Sequence, residues 1–244
     1  MRIDLVGLNS LPEVRPGDDL GELVRAAAAR EHHTIGPETI VVVAQKVVSK
    51  AEGAVVDLRA IEPSPAAQQW AGQWGKDARL IELILRESRR IVKMERGVVI
   101  AETQHGLVAA NAGVDLSNIP GEDYASVLPR DPDASADRLR RDLGCGAVII
   151  SDTFGRPWRE GLVNVAIGVS GLEALADYRG RPDRCGRILQ STVLALADEL
   201  AAAAGLLMRK TEGIPVVLIR GFEWQPAAGS ARPLIRPREK DLFR

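Results

Sequence analysis

Cysteine is scarce in this 244-residue sequence. Cys145 and Cys185 are the only two and form no CxxC pair, which excludes a disulfide framework and a structural zinc site of the usual spacing. Histidine is nearly as rare. His32, His33 and His105 lack paired metal-ligand spacing, so neither a histidine metal centre nor histidine-based acid–base chemistry is indicated. The adjacent His32-His33 reads as an exposed helix end. An excess of one charge is also missing: 32 Lys+Arg face 33 Asp+Glu, for a net charge of −1. Diffuse attraction to nucleic acid or to an anionic membrane surface is therefore not expected. No run of about 18 apolar residues occurs, the length a membrane-spanning helix requires, and the opening MRIDLVGLNS has no signal-like layout. A cytoplasmic protein is expected. The GxxxxGK[ST] loop, the GxGxxG fingerprint and the GxSxG elbow are all absent.

What is present is a globular composition, 45% hydrophobic and 27% charged, with no repeat or low-complexity linker. Short Val- and Ile-rich runs at Thr39–Ala44, Val98–Ala101, Ala147–Ile150 and Pro215–Ile219 read as buried strands. Leu20, Leu23, Val24 and Ala27, and separately Leu80–Leu85, have helical spacing. The segment Ser135–Gly144 predicts a short helix with Ser135 as N-cap and Gly144 as terminator, and Leu189–Met208 predicts a longer Ala/Leu helix. The expected fold class is α+β, a mixed sheet with packed helices, in a single domain over residues 1–244. Pro63–Pro65 and Pro129–Pro132 are candidate subdomain edges, and Leu242-Phe243 suggests that the basic C-terminal tail docks on the body.

Four fragments carry possible chemistry. In Ile149–Arg156 a strand runs into Asp152 and Thr153, an oxygen-donor pair suited to Mg²⁺ or Mn²⁺, although this fragment by itself favours an Asx-type turn capped by Asp152. Ala109–Asn118 delivers a second carboxylate, Asp115, and the amide of Asn118; Asp115 reads as a metal ligand or as a turn former. Ala44–Gly53 places Lys46 and Lys50 four residues apart, as a phosphate clamp or as solvated surface lysines. Met208–Gly213 combines cations, a hydroxyl, a carboxylate and Gly, as a loop over phosphates or an ordinary helix-to-strand turn.

Together these fragments resemble the coenzyme F420 γ-glutamyl ligase family over nearly the whole chain. The matching stretches are Leu11–Leu20, Val47–Gly53, Asn111–Asn118, Leu128–Ser135 and Ser151–Arg156, then Ala197–Ala201, Gly213–Val217, Leu234–Pro237 and Asp241–Phe243. The resemblance implies the ligase module alone, without the flavin-binding extension of some bacterial relatives, and an intertwined homodimer. It implies a GTP-dependent ligase joining L-glutamate to a coenzyme F420 precursor, with one or two divalent cations and K⁺ as a further candidate. Residue by residue, Asp115 and Asp152 would hold one cation and Thr153 would contact a second. Leu11, Pro12, Glu13, Val14, Gln45, Lys46, Lys50, Asn118, Arg209, Lys210, Thr211, Glu212 and Gly213 would line the nucleotide site. Lys50 would also stabilise phosphoryl charge and Arg156 would bind a substrate carboxylate, with Asp198 or Glu199 as candidate amine bases. Other members carry Ser at Gln45, and archaeal relatives carry an acidic or amide ligand at Lys210. The same fragments also suit a ligase with a different acceptor acid, or a nucleotide-binding module without turnover.

Overall fold

A computed structural model describes residues 2–119 and 121–242. The chain opens with β1 (Asp4–Gly7), α1 (Leu20–Arg30), β2 (Ile40–Ala44), α2 (Gln45–Ala51) and β3 (Val55–Asp57). Next come α3 (Pro65–Trp74), α4 (Ala78–Glu87), β4 (Ser88–Glu95), β5 (Val98–Thr103), β6 (Val108–Ala110) and β7 (Tyr124–Ser126). The remainder holds α5 (Pro132–Leu143), β8 (Ala147–Arg156), β9 (Arg159–Leu172), β10 (Ala176–Asp177), β11 (Val193–Leu194), α6 (Leu196–Met208), β12 (Val216–Arg220) and β13 (Pro226–Ala227).

The fold is α+β with a mixed sheet of order β1-β12-β2-β8-β9-β13. Only β2 and β8 pair in parallel, with Val43 opposite Ile150 and Ala44 opposite Ser151. Strands at such a position need cover on both faces, which explains the unbroken apolar runs IVVV and AVII. Val41, Val43, Val148 and Ile150 point into a core under α1 and α5, whereas Ile40, Val42, Ala147 and Ile149 face α6. Each of the fully buried Val and Ile side chains stabilises the fold by about 1.5–3 kcal/mol. A third core, drawn from Leu58 to Ala125, lies among α3, α4 and the three-stranded sheet β4-β5-β6.

Several boundaries differ from the sequence expectation. The helix α5 begins at Pro132, because Asp131 caps it through Ala134 N–H and Pro132 takes the first turn; Ser135 is buried inside the helix. Gly144 ends it in the left-handed conformation, as the sequence predicts. Helix α6 starts at Leu196, seven residues later than expected, since Val193 and Leu194 pair with Asp177 and Ala176 instead. Strand β8 continues beyond Ile150 to Arg156 because β9 provides a partner along its whole length. At the C-terminus Leu242 is exposed rather than docked, and Phe243 lies outside the described residues.

Candidate functional site

The parallel pairing of β2 and β8 sends both carboxyl ends to one edge of the sheet. Strand β2 passes directly into Gln45 and Lys46 of α2, while β8 passes through a bulge at Ile150/Ser151 into Asp152 and Thr153. Asp152 is therefore inside a strand, not in an Asx turn; its Oδ1 accepts the N–H of Thr153 at 2.7 Å. Asp115 arrives from another direction, its backbone held to Ser126 by two hydrogen bonds of 3.0 and 2.8 Å.

The charges meet at this edge. Lys46 Nζ donates to Asp115 Oδ2 at 2.6 Å and to the Ser117 carbonyl at 2.7 Å. Ser117 N–H donates to Asp115 Oδ1 at 2.7 Å, so the carboxylate also closes its own turn. Desolvation alone would raise the Asp115 pKa, but the hydrogen bonds from Lys46 and Ser117 prevail and hold it below the ordinary value. Asp152 behaves oppositely. Desolvation and the negative charge of Asp115 push it up to about 6, against the Thr153 N–H and the cations Lys46 and Lys210. Asp115, Asp152, Lys46 and Lys210 thus lie within electrostatic reach of one another.

The remaining expected residues divide into two groups. The ammonium of the buried Lys50 pairs with Glu13, tying Leu11–Val14 over α2, with Leu11 and Val14 packed on the first core. Lys210 Nζ donates to Thr153 Oγ1 at 2.7 Å, and Arg209 lies 3.7 Å from Glu212. Thr211 and Gly213 are exposed on the same loop, and Asn118 is exposed beside Ser117. Arg209 (φ 45°) and Asn118 (φ 55°) both adopt the uncommon positive-φ conformation, which is often retained at functional sites. Gln45 and Arg156 are engaged elsewhere. Gln45 Oε1 accepts the Ser49 hydroxyl inside the structure, and Arg156 donates to the Glu160 carbonyl at 2.9 Å. Arg156 sits four residues beyond Asp152, about 13 Å along the strand.

Two contributors went unnoticed in the sequence. Asn164 Oδ1 accepts the Thr153 hydroxyl at 3.3 Å across the β8–β9 pair, and Ser117 braces both Lys46 and Asp115. Asn164 had no local signal; the Asp-x-Ser spacing of 115–117 did carry one for Ser117. Asp198 has a structural task instead, accepting the Ala166 N–H at 2.9 Å and docking α6 on β9, while Glu199 is exposed. Asp198→Ala should leave that N–H unpaired and cost about 1–3 kcal/mol in urea unfolding. An unchanged midpoint would remove this role. Cys145 is buried, its thiol pushed up to about 12 by desolvation, which disfavours the reactive thiolate.

The donor set suits one hard divalent cation: two carboxylates whose proximity is itself unfavourable and which offer oxygen only. Among the described residues no group of three His, Cys, Asp or Glu side chains could hold a metal, so a cation held by these two carboxylates would need waters or substrate oxygens to complete its coordination. A second cation fits less well, because the ammonium of Lys210 already occupies the Thr153 hydroxyl. No helix among the described residues is long and apolar enough to cross a membrane.

Residues 9–221 match the family model described as F420-0:Gamma-glutamyl ligase. Over 252 residues, covering both chains entirely, the sequence is 46% identical to the coenzyme F420:L-glutamate ligase of Methanothermobacter thermautotrophicus. It is 48% identical to the enzyme of that name from Methanopyrus kandleri, covering 100% of this chain and 98% of the relative. For the Methanocaldococcus jannaschii ligase the identity is 43%, over 100% and 97% of the two chains.

Proposed function

Since the chain belongs to the F420-0:gamma-glutamyl ligase family, we propose that it joins L-glutamate to the carboxylate of a coenzyme F420 precursor, at the expense of GTP. The observation that carries this reading is the meeting of Asp115 and Asp152, flanked by Lys46 and Lys210, at the carboxyl edge of the β2–β8 pair. In open parallel α/β sheets the carboxyl edge is where ligands bind, and β2–β8 is the parallel pair of this sheet.

A carboxylate does not condense with an amine in water without activation. In the proposed sequence an oxygen of the acceptor carboxylate attacks the γ-phosphorus of GTP, and GDP leaves with the electrons of the broken P–O bond. The glutamate amine then attacks the acyl-phosphate carbonyl; phosphate departs and the nitrogen loses a proton, leaving the amide. A divalent cation, Mg²⁺ or Mn²⁺, held by Asp115 and Asp152 would neutralise charge on the phosphoryl oxygens. Lys46 would turn from Asp115 toward phosphate, and Lys50, held by Glu13, would present a fixed positive charge to it. Lys210 places another positive charge beside Thr153, where a second cation would otherwise lie. Arg209, Thr211, Glu212, Gly213 and Asn118 form the exposed rim against the nucleotide.

The test is the mass of the product. Incubation with F420-0, glutamate, GTP and Mn²⁺ should add glutamyl residues to the acceptor and release GDP and phosphate in equal amounts. GTP binding without mass gain would favour a non-catalytic nucleotide module, and gain on another acid only would favour a different acceptor. The protein is also proposed to act as a homodimer in the cytoplasm. Trp158 and Leu162 at the β8–β9 hairpin, with Ile188 and Leu194, expose apolar surface that a second copy would cover. Light scattering should give twice the chain mass of 26.3 kDa; a monomer would contradict it.

A further inference from the structure

A separate cleft of about 730 Å³ opens between the three-stranded sheet, the start of α5 and the C-terminal segment. Six arginines line it: Arg89 and Arg90 of β4, Arg130 ahead of α5, and Arg232, Arg236 and Arg238. Its three acids offset only part of this charge: Glu102 pairs with Arg90 and lies 3.9 Å from Arg89, and Asp131 and Asp133 are turned to backbone N–H groups. Glu102 accepts from Arg90 at 2.9 Å, and Asp131 caps α5 through Ala134 N–H at 3.0 Å. Asp133 accepts the N–H groups of Val169 and Ala231, both at 2.9 Å, and the Ser230 hydroxyl at 2.6 Å. The guanidinium groups of Arg130, Arg232 and Arg238 have no carboxylate partner among the described residues. Arginines contributed by three distant stretches of chain repel one another in a shared cavity, an arrangement that an anionic ligand relieves.

His105, on the wall of the cleft, has Nε2 3.1 Å from the Arg130 carbonyl, while Nδ1 is buried without a partner. The cleft reaches toward the cation site: Ile167, part of its wall, lies two residues along β9 from Val165, the register partner of Asp152. That is about 7 Å of strand. Leu107, also on the wall, packs in the same core as Phe154.

We infer that this cleft binds the acidic part of the acceptor, a chain bearing two or more anionic groups, in a reading that rests on the proposed ligase activity. Amide formation consumes the amine of glutamate and leaves two carboxylates on the transferred residue. The product is therefore at least as anionic as the acceptor, and the same arginines would retain it for a further addition.

The test compares the wild-type enzyme with the Arg232→Gln/Arg238→Gln double variant, both side chains being exposed. An unchanged melting temperature establishes its folding. Steady-state kinetics give KM for F420-0 and for GTP, and isothermal titration with tri-γ-glutamate gives direct binding. Acceptor KM should rise and peptide affinity should fall at least about tenfold, with the GTP KM within about twofold and Arg→Lys recovering part of the loss. Unchanged acceptor KM and peptide affinity would overturn the inference, as would a rise in the GTP KM alone, which would assign the cleft to the nucleotide. If the wild-type protein transfers no glutamate, the ligase reading fails by itself. The peptide titration then decides the cleft independently: arginine-dependent binding supports it and absent binding rejects it.

Discussion

Asp152→Asn is expected to lower glutamate transfer about a hundredfold or more while making the metal-free protein more stable. The two effects have one cause. Asp152 sits in a desolvated position beside the negative Asp115, with its pKa raised to about 6. A carboxyl whose pKa is raised in the fold costs stability when ionised; the penalty is absent well below pH 4, grows as pH rises toward 6 and is complete above it. Asparagine removes the charge, so above pH 6 the metal-free variant should exceed the wild type by on the order of 2–3 kcal/mol, and the difference should vanish below about pH 3. Urea titrations at the two pH values check the stability half. A variant with wild-type turnover would show that Asp152 holds no catalytic cation, while lost activity with lost stability would mark a merely misfolded protein.

Gly171→Ala is expected to cost more than about 4 kcal/mol, enough to prevent accumulation of folded protein. Gly171 has φ +90°, and a Cβ there would lie 2.2 Å from the Gly146 carbonyl oxygen and 2.8 Å from the Ala147 Cα. Neither backbone atom can move without separating β9 from β8. The strand pair that displays Asp152 and Asn164 at one end is thus locked by close backbone contact at the other. Gly180→Ala is the control: its φ is +80° but nothing lies within 4 Å of the added Cβ, so only conformational strain of about 1–2 kcal/mol is expected. Chemical denaturation of both variants separates the terms. Similar losses at the two positions would mean that backbone contact at Gly171 is unimportant.

Much of this architecture was written in local patterns. The unbroken IVVV and AVII runs marked the central strands because those strands are covered on both faces, and Gly144 marked the end of α5 because it takes a left-handed conformation. Strand β9 was not legible. Its outer half is exposed and its inner half buried, so neither alternation nor a short apolar run describes Arg159–Leu172. The expected helix overreaches at α6 because Ser191, Thr192 and Val193 are weak helix formers, and Val193 and Leu194 pair with β10 instead. For the site, the fragments holding Asp115, Asp152, Lys46 and Lys50 are recognisable in sequence, and the fold shows that Asp115, Asp152 and Lys46 lie together. Gln45 looked like a nucleotide contact, yet its side chain braces Ser49; Asn164 became visible only through strand register. The arginine cleft was equally hidden, since its cations come from residues far apart in the chain.

Titration of Mn²⁺ into the protein with GTP present, followed by electron paramagnetic resonance, tests the shared-cation proposal most directly. The wild-type chain should bind a Mn²⁺ ion whose affinity falls as pH drops below about 6, where Asp152 takes up a proton. Asp152→Asn and Asp115→Asn should each abolish that ion. Mn²⁺ binding of undiminished affinity in either variant would contradict a cation gripped jointly by the two carboxylates.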